Sequence, residues 1–189
     1  LTQLPVRRRL RVAVFSTGDE VVEPGATRGG AAIFDANRYL LRELLERFGC
    51  AISDLGILRD DPDALAPALQ RAAPDHDLVL TSGGVSTGEA DHVREAVERV
   101  GTLVFWRIGI KPGRPVAMGV IPAGNGQSAA FAGLPGNPVA AFVTFVRVVR
   151  PVLMRLAGAL APALMPMPVV AAFSYGKKTG RREYVRVSL

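Results

Sequence analysis

The chain has few of the side chains that form disulfides, zinc clusters and nucleophilic dyads. Its 189 residues include one cysteine, Cys50, and two histidines, His76 and His92. A single cysteine excludes an internal disulfide and is typical of a reducing compartment, so we expect a cytoplasmic protein. Cysteine and histidine together are too few for a zinc cluster of these ligands, and neither histidine has an evident serine or cysteine partner.

The sequence pattern also lacks a membrane span and a secretion signal. The longest apolar stretch, residues 139–160, contains Arg147, Arg150 and Arg155, so it predicts a buried amphipathic helix instead of a membrane span. No basic and then apolar leader opens the sequence. We therefore expect no contact with a membrane.

Acidic residues are fewer than basic ones in this chain. It has 17 aspartates and glutamates and 23 lysines and arginines, which gives a net charge of +6. Such a balance favours anionic partners, among them nucleic acids and phosphorylated or oxyanionic small molecules. The densest basic run, Arg7, Arg8, Arg9 and Arg11, has no interleaved aromatic residue that would stack on bases. The run therefore predicts a solvated linker before the first strand, and we do not expect nucleic acid as a partner.

Apolar residues, 49% of the chain, follow a pattern of strands that alternate with helices. Strands are predicted at residues 10–16, 51–58, 77–81, 102–110, 116–121 and 129–132. Helices are predicted from a cap at Asp35 to Gly49, from Asp61-Pro62 to Ala73, over 89–100, and from Asn137-Pro138 to about 157. This alternation predicts an α/β fold with three α/β/α layers and a mainly parallel sheet.

The last residues predict the beginning of a second domain. Residues 158–168 are small and proline-rich, as linkers are, and residues 169–189 have the pattern of two strands around a turn at 176–180. A lone hairpin is not stable by itself. We therefore expect a linker at 1–9, an α/β domain at 10–157, a linker at 158–168, and the start of a truncated β-domain at 169–189.

A glycine-rich segment, TSGGVSTGEAD at residues 81–91, stands where a predicted strand leads into a helix. Ligands of parallel sheets bind beyond the carboxyl ends of the strands. Paired glycines turn backbone N–H groups towards an anion, and the helix dipole adds positive charge, so the segment predicts a phosphate site. The alternative is a tight turn in which Glu89 and Asp91 complement the dipole, and for Asp91 capping and ligand or metal binding both stay open.

Two later segments add cations and a helix start. Arg107, Lys111 and Arg114 lie in RIGIKPGRP at residues 107–115, where prolines fix the backbone, and they predict a compact anion trap in preference to scattered surface cations. Residues 134–138 read LPGNP, in which Asn137 caps a helix and Pro138 opens it. A helix start is also an anion site, so the two interpretations are compatible.

Carboxylates follow the first two predicted strands. Residues 16–20 read STGDE, in which a single glycine follows the strand, and this excludes the three-glycine fingerprint of nicotinamide and flavin dehydrogenases. A simple turn and a ligand contact remain equal alternatives for these residues. Asp60 and Asp61 either hold magnesium as a pair, or Asp60 reaches the ligand while Asp61 caps a helix.

Taken together, these segments resemble a known family. STGDE (16–20), RDDP (59–62), SGGVSTGEAD (82–91), the 105–115 run and LPGNP (134–138) are similar to the MoeA/gephyrin-type molybdopterin molybdenumtransferases, in family order and spacing. KKTGRREY at 177–184 resembles the opening of that family's C-terminal β-domain. The resemblance implies a central MogA-like domain followed by a partial β-domain.

The resemblance also implies a reaction, in which adenylylated molybdopterin and molybdate give the molybdenum cofactor and AMP with assistance from Mg²⁺. Carried over by motif, the catalytic carboxylates are Glu20, Asp60 and Asp91. Asp60 and Asp91 are also the expected metal ligands. The family's longer chains form dimers with the site between subunits, so we expect a homodimer of the full-length protein, and a segment of this length that binds ligand without turnover.

The same resemblance implies a set of substrate contacts. Residues 82–84 of the glycine-rich segment would hold the nucleotide phosphates, and Lys111 and Arg114 would face molybdate or the pterin phosphate. Pro135 and Pro138 would shape the adjoining wall. Arg107 stands where some relatives carry lysine, which keeps the charge but not the geometry. The residues expected to contact substrate are Thr17, Gly18, Ser82, Gly83, Gly84, Ser86, Arg107, Lys111, Arg114, Pro135, Gly136 and Pro138.

Two alternatives remain beside this function. A MogA-like molybdopterin adenylyltransferase shares the fold, but its glycine loop usually reads GGTG, whereas this chain has GGVSTGEAD. A non-catalytic molybdopterin-binding or scaffold domain is the other alternative. The complete set of carboxylates argues against pure scaffolding, because binding a peptide does not require it.

Overall fold

The computed structural model describes residues 2–27, 29–85, 92–160 and 165–187, with only the backbone of residue 106. Its strands and helices in chain order are β1 Arg11–Thr17, β2 Val21–Val22, β3 Ile33–Phe34, α1 Asn37–Arg47, β4 Ala51–Leu58, α2 Pro62–Ala72, β5 Leu78–Ser82, α3 His92–Val100, β6 Thr102–Arg107, β7 Ile110–Lys111, β8 Pro115–Gly124, β9 Gln127–Leu134, α4 Pro138–Thr144, α5 Arg150–Leu156 and β10 Arg182–Glu183. A 3-10 turn, Ala73–Asp75, follows α2, and a π-helical segment, Phe145–Val149, joins α4 to α5.

Six strands form the central sheet in the order β4-β1-β5-β9-β8-β6. The neighbours from β4 to β9 pair in parallel, whereas β8 pairs antiparallel with both β9 and β6. The prediction of a mainly parallel α/β sheet is therefore confirmed. Because β1, β5, β9 and β6 all run in one direction, their carboxyl ends meet at one rim of the sheet.

Helices cover both faces of this sheet. Successive residues of β1 alternate between two buried clusters, since Ala13 and Phe15 contact one and Val12 and Val14 the other. The first cluster contains apolar residues of α2 and α3, and the second contains residues of α1, α5 and the π-helical segment. A strand buried on both faces needs a continuous apolar sequence, which explains the run that predicted β1.

The helix predicted over 137–157 is interrupted. Asn137 caps it, with its side chain accepting hydrogen bonds from the backbone of Val139 and Ala140, but a π-helical segment separates α4 from α5. Pro151 lies at the start of α5, and proline lacks an amide hydrogen and collides with the preceding helical turn, so the local widening relieves that conflict. No helix in the described ranges is both long and apolar enough to span a bilayer.

Some predicted bounds shift by a few residues. The helix placed after Asp35 begins at Asn37, although the Asp35 carboxylate does accept a hydrogen bond from the backbone N–H of Arg38. Gly49 has the predicted left-handed conformation, with a φ of 71°. The strand predicted over 102–110 ends at Arg107, and Ile110–Lys111 forms the separate strand β7.

The hairpin predicted for 169–189 is wrong for the residues that the structure describes there. Only Arg182–Glu183 is a strand, and it pairs in parallel with β7 instead of with a neighbouring strand of its own segment. Most side chains from 165 to 187 are exposed. An isolated hairpin that buries so little surface is marginally stable at best. Pairing with β7 gives this segment backbone hydrogen bonds to the domain instead.

The arginine run is exposed, as its sequence predicts, but two of its side chains also contact the domain. Both terminal nitrogens of Arg8 donate to the carboxylate of Asp77, at 2.7 and 2.6 Å. Arg9 donates to the backbone oxygens of Gly49 and Cys50, at 2.7 and 2.8 Å. These contacts fasten the residues before β1 to the end of the sheet opposite the carboxyl rim.

Candidate functional site

A cavity of about 240 Å³ opens at the carboxyl rim of the sheet. Three loops meet there, which follow β1, β5 and β9. We call it the rim cavity, and it is lined by Ser16, Thr17, Glu20, Val21, Ile33, Phe34, Asp35, Ala36, Asn37, Ser82, Gly83, Gly136 and Pro138. Six of the residues predicted to contact substrate or act in catalysis are in this lining.

The loop after β1 folds back on itself and forms one wall. Its two short strands, β2 and β3, pair in parallel, and the backbone N–H of Ile33 donates to the oxygen of Glu20 at 2.8 Å. The loop thereby places Val21, Ile33 and Phe34 beside Glu20. This wall offers apolar surface next to a carboxylate, an arrangement that suits a planar ring with a polar edge.

Asn37 connects all three parts of the rim cavity. Its side-chain amide donates to the hydroxyl of Ser82 at 2.8 Å and to the backbone oxygen of Gly136 at 2.7 Å. The Ser82 hydroxyl in turn points to the oxygen of Pro135, at 3.4 Å. The side chain of Asn37 therefore fixes the loop after β5 against the loop after β9.

A buried arginine, Arg38, stabilises the residues around the rim cavity. Arg38 Nε donates to Asp35 at 2.8 Å, and Arg38 Nη1 donates to both oxygens of Asp54 at 2.6 Å. Arg38 also pairs with Glu23 of the loop after β1, and Asp35 accepts a hydrogen bond from Ser16 at 2.9 Å. Although burial opposes its charge, these carboxylates hold the pKa of Arg38 above its usual value.

Sequence reasoning did not single out Asn37 and Arg38. A signal was present, because Arg38 shares a helix face with the buried residues Leu41 and Leu45 at spacings of three and seven residues. A charged residue on an apolar face needs a buried partner, and Asp35 and Asp54 supply it. Nothing comparable in the sequence pointed to Asn37.

Gly83, the first of the paired glycines, uses its backbone N–H within the protein. The backbone N–H of Gly83 donates to the oxygen of Leu134 at 3.1 Å, so it is not directed at a ligand. Gly83 has a φ of 93°, and a Cβ at this position would lie 2.1 Å from the backbone oxygen of Thr17. A Cβ at Gly84 would lie 2.7 Å from Thr17 Cγ2. Both glycines allow the loop after β5 to lie directly on Thr17.

Asp60 follows β4 and lies behind the same loops. Its Oδ1 is buried, as is the hydroxyl of Thr17, and neither atom makes a well-formed hydrogen bond to a described residue. Burial raises the pKa of Asp60, and the nearby charges of Asp19 and Glu20 raise it further, while His92 and the Thr17 hydroxyl act in the opposite direction. Asp60 and Glu20 therefore share one electrostatic environment. Asp61 caps α2, its side chain accepting from the backbone of Asp63.

Three further predicted site residues, Gly18, Ser86 and Asp91, are only partly placed. Gly18 lies in the turn after β1, where its backbone oxygen accepts a hydrogen bond from Val21 at 3.0 Å. Ser86 and Asp91 lie outside the described residues. Within the described ranges, no three cysteine, histidine or acidic side chains come close enough together to hold a metal ion.

Arg107 and Arg114 line a second cavity, of about 430 Å³, and not the rim cavity. The cation cavity, as we call it, is completed by Lys178, Thr179, Gly180 and Arg181 from the last part of the chain. Lys111 lines neither cavity and is exposed on β7. The predicted cluster of three cations is therefore divided, and sequence reasoning missed Lys178 and Arg181.

Both cavities lie at the same rim. Arg107 is level with Pro115 at the start of β8, and Ala117 of β8 is level with Gly133 near the end of β9. β8 alone separates β6 from β9, so the ends of these two strands lie about 10 Å apart. The polar groups of the rim cavity and the cations of the cation cavity therefore lie side by side.

Comparison with known proteins gives a consistent result. The sequence model of a family described as "Probable molybdopterin binding domain" matches residues 13–155. A molybdopterin molybdenumtransferase of Haemophilus influenzae is 41% identical over 187 residues, which are 98% of this chain and 45% of that protein. A protein of the same name from Nostoc sp. is 38% identical over 157 residues, 82% of this chain and 36% of the relative. This chain thus spans less than half the length of both.

A solved structure shares the fold. The molybdopterin biosynthesis MoeA protein of Pyrococcus horikosii superposes with a TM-score of 0.69 at 33% identity, covering 80% of this chain and 36% of that one.

Proposed function

The chain belongs to the family of molybdopterin-binding domains of molybdenum cofactor biosynthesis. We propose that its rim cavity binds adenylylated molybdopterin while molybdate is inserted into the molybdopterin and AMP is released. The products are the molybdenum cofactor and AMP. One observation carries the proposal: Thr17, Glu20, Ser82, Gly83, Gly136 and Pro138, separated widely along the sequence, line a single cavity. We assign the complete reaction to the longer protein that the relatives exemplify.

The rim cavity supplies position and shape. Ser82 accepts a hydrogen bond from Asn37, and its own proton is directed only weakly, over 3.4 Å, to the oxygen of Pro135. The hydroxyl can therefore turn and donate to a phosphate oxygen at little cost. The apolar wall beside Glu20 accommodates a flat heterocyclic ring, so the nucleotide is held at two chemically different ends.

The cation cavity is the proposed place for molybdate. Arg107, Arg114, Lys178 and Arg181 converge there from two distant parts of the chain, and guanidinium groups bind tetrahedral oxyanions through paired hydrogen bonds. A doubly charged oxyanion at this position would lie close to a nucleotide in the rim cavity. The protein then acts mainly by positioning the two reactants and neutralising their charges.

Magnesium is proposed on the chemistry of the donors. Asp60 has a buried oxygen without a well-formed hydrogen bond, in surroundings that raise its pKa, and a cation would remove that cost. Mg²⁺ prefers a few carboxylate oxygens together with substrate phosphates. We propose that Asp60 holds the ion with Asp91, while Glu20 acts beside it as the third catalytic carboxylate. When bound, the ion would neutralise phosphate charge.

The family resemblance also supports proposals about the setting of this reaction. We propose that the full-length protein is a homodimer in the cytoplasm. We also propose that this chain divides into a linker at 1–9, the α/β domain at 10–157, a linker at 158–168 and the start of a β-domain at 169–189.

Calorimetric titration with AMP in the presence of Mg²⁺ tests the rim cavity. We expect AMP to bind, and Ser82→Ala to weaken it by about 10- to 100-fold, because a hydrogen bond to a charged group is lost. Ser128→Ala is the matched control, since Ser128 is exposed near the start of β9 at the opposite end of the sheet. Equal affinity of the Ser82 and Ser128 variants would contradict the assignment.

A further inference from the structure

The last part of the chain is attached to the sheet through few backbone bonds. We call residues 175–184 the return segment. The backbone N–H of Arg182 donates to the oxygen of Gly109 at 2.9 Å, and that of Tyr184 donates to the oxygen of Lys111 at 2.7 Å. A pairing of two residues is marginal by itself. The position of Lys178 and Arg181 at the cation cavity therefore depends on other contacts.

Several contacts shape the return segment from within. Arg181 Nε donates to the Glu183 carboxylate at 2.6 Å, and the Tyr175 hydroxyl donates to the other oxygen. The hydrogen bond from Tyr175, followed by that from Arg181, lowers the pKa of Glu183. Because these residues belong to one segment, the hydrogen bonds among them do not attach it to the domain, whereas the charge of Lys111 on β7 attracts Glu183 from outside the segment.

Arg147 provides an attachment between the return segment and the domain. It lies on the π-helical segment between α4 and α5, and its guanidinium carbon is 4.7 Å from the centre of the Tyr184 ring. This distance is in the range of a cation–π interaction. Tyr184 is also the residue whose backbone N–H reaches Lys111, so ring and backbone fix the same residue at two points. Arg147 itself is not part of the lining of the cation cavity.

We propose that Arg147 is a positioning residue for the cation cavity. Through the ring of Tyr184, it holds the return segment so that Lys178 and Arg181 converge with Arg107 and Arg114 on one oxyanion. Affinity for the oxyanion then depends on a residue that does not touch it. The inference rests on the proposed function in taking molybdate as that oxyanion.

Titration of the 189-residue chain with molybdate tests this role through a double-mutant cycle. We expect Arg147→Met and Tyr184→Leu each to weaken molybdate binding by about 2- to 10-fold, the strength of a partly exposed cation–π contact. The double variant should bind molybdate no more weakly than the weaker-binding of the two single variants, because both changes break the same interaction. Tyr184→Phe keeps the ring and should bind as the unchanged chain does.

Arg155→Met controls for charge, since Arg155 is an exposed arginine of α5 and its loss lowers the net charge equally. An equal loss of affinity in the Arg155 and Arg147 variants would overturn the proposal, because long-range charge alone would explain both. Undiminished affinity in Tyr184→Leu would overturn it as well.

Hydrogen exchange separates this inference from the proposed function. The backbone amides of Arg182 and Tyr184 should exchange faster in Arg147→Met than in the unchanged chain, and in Tyr184→Phe they should not. Unchanged exchange in Arg147→Met contradicts the positioning role whether or not molybdate binds. If the unchanged chain and Arg107→Gln bind molybdate equally, the assignment of the cation cavity fails, while the exchange result still decides the role of Arg147.

Discussion

Asp60 carries its charge in surroundings that disfavour it. Burial, followed by repulsion from Asp19 and Glu20, raises the pKa of this carboxyl above the ordinary value of 3.8. A carboxyl whose pKa is higher in the folded than in the unfolded state makes the ionised protein less stable. That cost is fully present above the raised pKa, and it disappears as the pH falls below the unfolded value.

Asp60→Asn should therefore increase the free energy of unfolding at pH 7 and leave it unchanged near pH 3. Urea denaturation at several pH values measures the difference. The same variant should lose the Mg²⁺ dependence of AMP binding, since an amide is a poor ligand for this ion.

Asp75→Asn is the matched control for this change, because Asp75 is exposed and we expect a change below about 0.5 kcal/mol. A variant of Asp60 that is less stable than the unchanged chain at pH 7 would show that the carboxylate is not penalised by its surroundings.

Single residues of the rim cavity were predictable to different extents. Thr17, Glu20 and Ser82 follow predicted strands directly, so the rule that parallel strands end at one rim placed them together. Asn37 was missed because its function is a contact with Gly136, 99 residues away in the sequence. Lys111 was grouped with Arg107 and Arg114, but it lies on the separate strand β7 and is not in the lining of the cation cavity that they share.

The loops after β1 and β5 meet without space for a side chain, and this contact fixes the shape of the rim cavity. We expect Gly83→Ala to lower the free energy of unfolding by about 2 to 5 kcal/mol, from backbone strain together with overpacking. The reason is a Cβ placed 2.1 Å from the Thr17 oxygen at a φ of 93°. Urea denaturation gives the measurement.

Gly25→Ala isolates the contribution of the backbone conformation. Gly25 has a φ of 88°, and a Cβ there would meet nothing within 4 Å. We expect a loss of only about 1 to 2 kcal/mol from the left-handed conformation. Equal losses in the two variants would mean that the contact between the two loops is not tight.

Elements were predictable where burial on one face repeats regularly. The second strand, 51–58, was predicted with its observed bounds, and the caps at Asp61 and Asn137 were correct. The π-helical segment and β10 were not predicted. The first arises from a local conflict at Pro151, and the second from pairing with β7 across 72 positions, and neither follows from hydrophobic periodicity.

At the scale of the molecule, the two cavities depend on different parts of the chain. The rim cavity is built from residues 16–138, whereas the cation cavity needs Lys178 and Arg181. Part of the basic excess is therefore concentrated at one rim, where cations from the middle and from the last part of the chain converge. We therefore expect that changes in residues 165–189 affect the binding of an oxyanion without affecting the binding of a nucleotide.

Removal of residues 165–189 tests this separation. The free energy of unfolding should change by less than about 1 kcal/mol, since the described residues of this stretch are largely exposed and surface changes have small effects. Molybdate affinity should fall by about 10-fold or more, because two charge-assisted contacts are lost. AMP affinity should stay within about twofold of the longer chain, because none of its proposed contacts is removed.

The variant Lys178→Ala/Arg181→Ala in the 189-residue chain should reproduce the loss of molybdate binding. That result would show that the cations and not the chain length are responsible. A parallel loss of AMP binding in the shortened chain would mean that the return segment supports the rim cavity too, and that the two sites are a single unit.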